Sequence, residues 1–161
     1  MGVSGCGKTV VGEAVAAQWH ARFEDADKWH TPEAVAKMAA GHPLSDADRL
    51  PWLQRLKTQI IDATPPGGRT VLACSALRKS YRDLLRADAG PDLLFIHLAG
   101  PQSLIAARMA ARTGHYMPTS LLDSQFAALE PPGAEEAITV SIDPSIGEIT
   151  ANVLAILGQP A

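Results

Sequence analysis

Cysteine is scarce in this chain. There are two, Cys6 and Cys74, in 161 residues. They form neither a disulfide framework nor a metal-ligand spacing, so a reducing cytoplasm is the expected setting. Long apolar runs are also missing: none approaches the ~20 residues a membrane helix needs. The first residues place Gly and Lys where a signal peptide would be apolar. Nor is there an excess of positive charge. The formal net charge is −3, so no global basic surface asks for nucleic acid. Neither a membrane nor a nucleic acid is therefore an expected partner. Internal repeats and low-complexity tails are absent as well. What remains is an ordinary globular balance, 47% apolar and 19% charged residues. The length suits a single domain over 1–161.

Turn residues divide the chain into alternating short apolar runs and amphipathic segments. A Gly-rich stretch over 2–9 predicts a loop, and a helix is expected from Lys8 to His20 with Val11, Ala14, Val15 and Trp19 on one face. A strand is predicted over 21–25. Thr31-Pro32 reads as an N-cap followed by a first helical proline, with Gly41 as the stop. Ser45 caps a further helix, which Pro51 either kinks or restarts. Trp52, Leu53, Leu56 and Ile60 should point inward. Pro65-Pro66-Gly67-Gly68 is a break. Strands are predicted over 70–74, 93–98 and 138–142. Helices are predicted over 78–88, from Gly100-Pro101 to about Arg112, over 120–129 and over 145–157. Continuous apolar strands alternating with helices point to an α/β fold, a parallel sheet with helices on both faces. Ligands in such sheets bind at the carboxyl ends of the strands.

One motif carries specific chemistry. Gly2-Val3-Ser4-Gly5-Cys6-Gly7-Lys8-Thr9 satisfies G-x-x-x-x-G-K-[ST] at every fixed position. Backbone N–H groups must turn inward around a phosphate, and side chains at Gly5 or Gly7 would obstruct them. The following helix adds the positive end of its dipole. Lys8 supplies charge to the β- and γ-phosphates, and Thr9 offers a hydroxyl to Mg²⁺. ATP and Mg²⁺ are the implied cofactors. Cys6 reads as a small tolerated loop residue. A loop of this kind normally follows a buried strand. Only Met1 precedes it here, so the first strand of the fold is expected to lie outside these residues.

Other candidates gather round the loop. Asp25 and Asp27 lie at i, i+2 at the end of the second-strand candidate and so on one side of it. There they would serve the Mg²⁺ water shell and a substrate hydroxyl. Arg108 and Arg112 are at i, i+4 on one helix face, suited to stabilising a transferring phosphoryl group. The loop that follows them, with His115, suits a lid over about 108–132. A substrate-binding segment is expected over about 28–64, with His30, Trp29, His42, Asp46, Asp48, Arg49 and Trp52. Arg78, Lys79, Arg82 and Arg86 form a basic run in which one or two would meet an anion. His97 reads as a core histidine.

The chain resembles the gluconate kinases, P-loop small-molecule kinases related to shikimate and adenylate kinases. The resemblance runs nearly end to end. It is carried by MGVSGCGKT, FEDADKWH, KMAAGHPLSDADRLPWL, VLACSALRKSYRDLLR and ARTGHYMPTSLLDSQFAALEPP. It implies a five-stranded parallel sheet with the phosphate-loop strand in the middle, a lid, and transfer of the γ-phosphoryl of ATP to the 6-hydroxyl of D-gluconate. It places Asp25 at the Mg²⁺ shell and Asp27 at the substrate hydroxyl. It places Arg49, Lys79 and Arg82 toward the substrate, and Arg108, Arg112 and His115 in the lid region. It also implies a homodimer. Two other readings fit the same residues: a shikimate-kinase-like enzyme acting on another polyol acid, and a catalytically silent nucleotide-binding protein.

Overall fold

A computed structural model describes residues 1–89, 92–111 and 119–158. The Gly-rich loop leads directly into α1 (Lys8–Gln18), whose buried face is Val11, Gly12, Val15 and Ala16. Strand β1 (Arg22–Asp25) runs parallel to β2 (Thr70–Ala73), with Arg22 opposite Thr70 and Asp25 opposite Ala73. Strand β3 (Ile96–Ala99) runs parallel to β4 (Ile138–Ser141), with Ile96 opposite Ile138. All four predicted strands are present. The third starts later than expected, because Leu94 is exposed and precedes the ladder.

The helices follow their caps. Thr31 Oγ1 accepts from Ala34 N at the start of α2 (Pro32–Ala39). Ser45 and Asp48 form a reciprocal capping box on α3 (Asp46–Leu56), satisfying two otherwise unpaired donors. Pro51 lies inside α3 without ending it. A π-helical turn over Lys57–Ile61 follows at once. Trp52, Leu53, Leu56 and Ile60 are all buried as expected. Further along come α4 (Lys79–Arg86), α5 (Gln102–Ala110), α6 (Thr119–Ala128) and α7 (Ile146–Leu157). A second capping box, Ser145 with Glu148, starts α7.

Two apolar clusters form the core. One joins Val11 and Val15 of α1 to Ile105 of α5, Leu122 of α6 and Ile149 and Val153 of α7. The other joins Trp52, Leu53 and Leu56 of α3 to Tyr81 and Leu85 of α4 and to Phe95. Helices thus cover both faces, the layering of a parallel α/β fold.

The expected five-stranded sheet is seen as two parallel pairs, β1–β2 and β3–β4. Met1 and Gly2 run between them. Met1 N donates to Ile96 O, Leu98 N donates to Met1 O at 2.9 Å, and Gly2 N donates to Ser75 O at 3.1 Å. A residue in a parallel ladder bonds in this slanted way to the residues before and after its opposite number, here His97. A cleft of about 970 Å³ opens beside Met1, lined by Val11, Val15, Leu72, Leu85, Ile96 and Leu98 among others. Its walls are mainly apolar, and Met1 sets the register in which a strand would enter. An engineered extension of five apolar, β-branched residues ahead of Met1 is expected to raise stability by several kcal/mol, since burying each such side chain is worth about 1.5–3 kcal/mol. Urea denaturation of the two chains measures this. An unchanged midpoint would show that the cleft does not accept a strand.

Candidate active site

The phosphate loop is built on left-handed glycines. Gly5 has φ 81° and Gly7, the N-cap of α1, has φ 98°. A Cβ on Gly5 would also stand 2.7 Å from the Met109 side chain. Only glycine meets both demands at that position. Cys6 is buried, and Val3 belongs with it to the core cluster beneath α1. The loop is therefore anchored by its alternate side chains. Lys8 Nζ donates to Val3 O at 3.0 Å, so the ammonium folds over the start of its own loop.

Thr9 begins the contact with the first acidic residue. Its Oγ1 donates to Asp25 Oδ2 at 3.0 Å, while Asp25 Oδ1 accepts from Asp27 N at 3.0 Å. The hydroxyl and the carboxylate expected at Mg²⁺ are thus neighbours at the mouth of the loop. This donor set fits magnesium, which takes one or two protein oxygens and completes its shell with phosphate and water. Among the described residues no cluster of three or more His, Cys, Asp or Glu offers an all-protein metal cage.

A second group of residues lies beyond Asp27. The chain makes a 3₁₀ turn over Ala26–Trp29, and Trp52 Nε1 donates to Ala26 O at 2.8 Å. The His30 ring stacks on Trp52, with centroids 4.3 Å apart and planes 13° from parallel. His30 Nδ1 is buried and has no hydrogen-bond partner among the described residues. Burial pulls the His30 pKa below its usual value; the Asp27 charge opposes this and Arg49 adds to it. Arg49 also faces Tyr81, whose pKa is pushed up to about 12, by burial first and then by its hydrogen bond to Asp46. Asp46 in turn takes Arg78 at 2.6 Å. The structure therefore brings Asp27, His30 and Arg49 together and adds Tyr81. Sequence reasoning passed over that tyrosine because it lies among basic residues on α4.

Other candidates are engaged elsewhere. Asp48 caps α3 and pairs with Lys37 at 2.6 Å. Lys79 pairs with Asp83, one turn along α4, at 2.8 Å. Arg82 turns inward and is 1% exposed. Its Nε and Nη2 donate to the two carboxylate oxygens of Glu136 at 2.6 and 3.1 Å, and its Nη1 donates to Ala76 O and Leu77 O. This correction has a local cause: Arg82 lies beside Tyr81 and Leu85 on the buried side of α4, where Glu136 neutralises it. Arg108 is exposed at its head, with Nη2 donating to Asp143 O at 3.5 Å. Arg112 and His115 lie outside the described residues. Gln125 was not singled out from the sequence, yet it bonds to Ser4 of the loop.

A phosphate loop whose Thr9 meets Asp25 at the carboxyl end of β1, in a parallel α/β fold, makes this a P-loop kinase fold. Comparisons with known proteins narrow the class. Residues 4–129 match the shikimate kinase family. The thermosensitive gluconokinase of Escherichia coli (strain K12) is 47% identical over 95% of this chain and 80% of its own. A probable gluconokinase of Mus musculus is 45% identical over 98% of this chain and 95% of its own. A gluconokinase structure from Sinorhizobium meliloti 1021 aligns with TM-score 0.86 and 43% identity, covering 96% of this chain and 87% of that one. An APS kinase of Mycobacterium tuberculosis, at TM-score 0.69 and 21% identity, shares the fold. The chain belongs to the gluconokinase family. No helix among the described residues is long and apolar enough to cross a membrane.

Two measurements test this geometry. Arg82→Ala leaves Glu136 unpaired against the core and is expected to cost about 3–5 kcal/mol of stability. The KM for the small-molecule substrate should stay unchanged in the folded fraction. A stable variant with a raised KM would return Arg82 to the substrate. The second concerns pH. Burial lowers the pKa of both His30 and His97. The folded protein then binds protons less readily than the unfolded chain, whose histidines titrate near ~6.5. Their stabilising contribution is whole above that pH and is lost as pH falls through it toward the folded values. The urea midpoint should be lower at about pH 5.5 than at about pH 7.5, and His97→Leu should shrink the difference. Equal midpoints would contradict the assignment.

Proposed function

We propose that the protein transfers the γ-phosphoryl group of ATP to the 6-hydroxyl of D-gluconate, giving 6-phosphogluconate and ADP. The observation that carries the reading is the Asp27–His30–Arg49 group beside the Thr9–Asp25 pair. It offers a base, a polar ring and a cation at the mouth of a phosphate loop. Identity of 42–47% to the two Escherichia coli gluconokinases supports the choice of substrate.

Gluconate is a small anion with several hydroxyls. Arg49 supplies a cation for the carboxylate. His30 stacks on Trp52 beside Asp27, and its neutral form, which burial favours, can accept or donate toward a hydroxyl. Asp27 takes the proton of the 6-hydroxyl as the new O–P bond forms and the bond from the γ-phosphorus to the bridging oxygen breaks; ADP leaves with that electron pair. The loop amides from Gly5 to Thr9 and the Lys8 ammonium hold the phosphates through this step. Mg²⁺, held by Thr9 and Asp25, would neutralise developing charge when bound. In this proposal Arg108 has the same role, and the sequence extends it to Arg112, with His115 as a substrate contact. Lys79, at the head of α4, would reach an anion only by leaving Asp83. A homodimer and a cytoplasmic, reducing setting complete the proposal; gel filtration reports on the first.

A coupled assay of gluconate-dependent ADP release tests the function, with shikimate in parallel because of the family match over residues 4–129. Turnover of shikimate but not gluconate would overturn the proposal. Lys8→Ala should lower kcat by about 100-fold or more, as expected for loss of a main transition-state donor. An unchanged kcat would remove Lys8 from that role.

A further inference from the structure

Helix α6 makes a polar contact with the phosphate loop through Gln125. Ser4 N donates to Gln125 Oε1 at 2.6 Å, and Gln125 Nε2 donates to Ser4 Oγ at 3.0 Å. The carboxamide thus grips a single loop residue by its backbone and its side chain together. Its orientation is chemically determined. A backbone N–H only donates, so the atom facing it must be the amide oxygen, and the NH₂ must then face the hydroxyl.

The grip has a rigid base. Leu122 belongs to the core cluster that holds Val3, Cys6 and Ile105, and Phe126 packs against it. Gln125 lies between these two positions on α6 and is half-buried. At the loop end, Ser4 follows Val3, whose carbonyl receives Lys8 Nζ. Ser4 is therefore at the end of the loop where the Lys8 charge is concentrated, the side of the β- and γ-phosphates.

The consequence concerns one proton. Ser4 Oγ accepts from the Gln125 NH₂, and an amide NH₂ accepts nothing in return. The hydroxyl proton must therefore point away from Gln125. We infer that Gln125 is a positioning residue for phosphoryl transfer, turning the Ser4 hydroxyl into a donor aimed at the transferring phosphoryl group. A donor oriented before the reaction stabilises charge without reorganising during it. The inference rests on the kinase reading above and deepens it.

A double-mutant cycle with Ser4→Ala and Gln125→Leu tests it, read on kcat and on the KM for ATP. Ser4→Ala is expected to lower kcat about 10-fold with the KM for ATP within about twofold, the mark of an interaction made mainly in the transition state. Gln125→Leu should lower kcat similarly, and the double variant should be no slower than the slower single one. Multiplying effects would overturn the inference, since a helix that merely props the loop acts whether or not the hydroxyl is there. So would an unchanged kcat in Ser4→Ala, a variant that keeps the fold even if Gln125→Leu does not. Reading the same cycle on slow ATP hydrolysis, with water as acceptor, separates the two levels. Coupling there without gluconate turnover would sink the substrate assignment alone; gluconate turnover with independent effects would sink only the role of Gln125.

Discussion

Backbone hydrogen bonds from Met1 to β3, and from Gly2 to the residue two beyond β2, set the height of the phosphate loop against the sheet. The loop has few other ways to be placed. Its turns rest on residues with no side chain, so packing cannot grip it at Gly5 or Gly7. The two anchoring side chains, Val3 and Cys6, are in the core, while Ser4, Lys8 and Thr9 make the loop's polar side-chain contacts. A shift of the main chain between β2 and β3 would move all phosphate donors together. Close positioning is what phosphoryl transfer asks of a protein, and here it is delegated to a few peptide groups.

Polar contacts then bring the surrounding elements to the loop. Thr9 meets Asp25 at the end of β1, and Ser4 meets Gln125 on α6. Lys8 bonds within the loop. The first two contacts each join a residue of the motif to a different element, so the loop is where β1 and α6 meet. An exposed hydroxyl–carboxylate bond adds little stability beside water. The value of these contacts is geometric.

Much of this was legible in the sequence, and the reasons differ by element. The loop and α1 could be read because backbone chemistry fixes both residue types and spacing. The caps at Thr31 and Ser45 were visible because capping depends on local hydrogen bonds alone. Strand alternation would set Asp25 and Asp27 on one side, but the strand ends at Asp25 and Asp27 lies in the 3₁₀ turn over Ala26–Trp29, so the Asp25 cap on Asp27 N relates them instead. Arg82 could not be placed from the sequence. Whether a basic residue on an amphipathic helix faces water or a buried carboxylate depends on Glu136, more than fifty positions away. Gln125 was hidden for a similar reason: its partner, Ser4, lies at the other end of the chain.

Trp52 shows how the two halves of the site are joined. The sequence reads it as a core residue, and it is buried. Its indole N–H nevertheless bonds to the carbonyl of Ala26, the residue between Asp25 and Asp27. Its face carries the His30 ring. One rigid side chain therefore fixes the turn that presents both carboxylates and the imidazole that faces the proposed substrate. Trp52 stands on α3, the same helix as Arg49, so the proposed carboxylate contact moves with it. A bulky aromatic is well suited to this position, because its large apolar surface holds α3 in the core while its polar edge satisfies a buried carbonyl. Replacing it with an aliphatic residue of similar burial would keep much of the packing and lose the hydrogen bond that holds the turn between Asp25 and Asp27. The geometry of that turn thus depends on a core position as much as on its own residues.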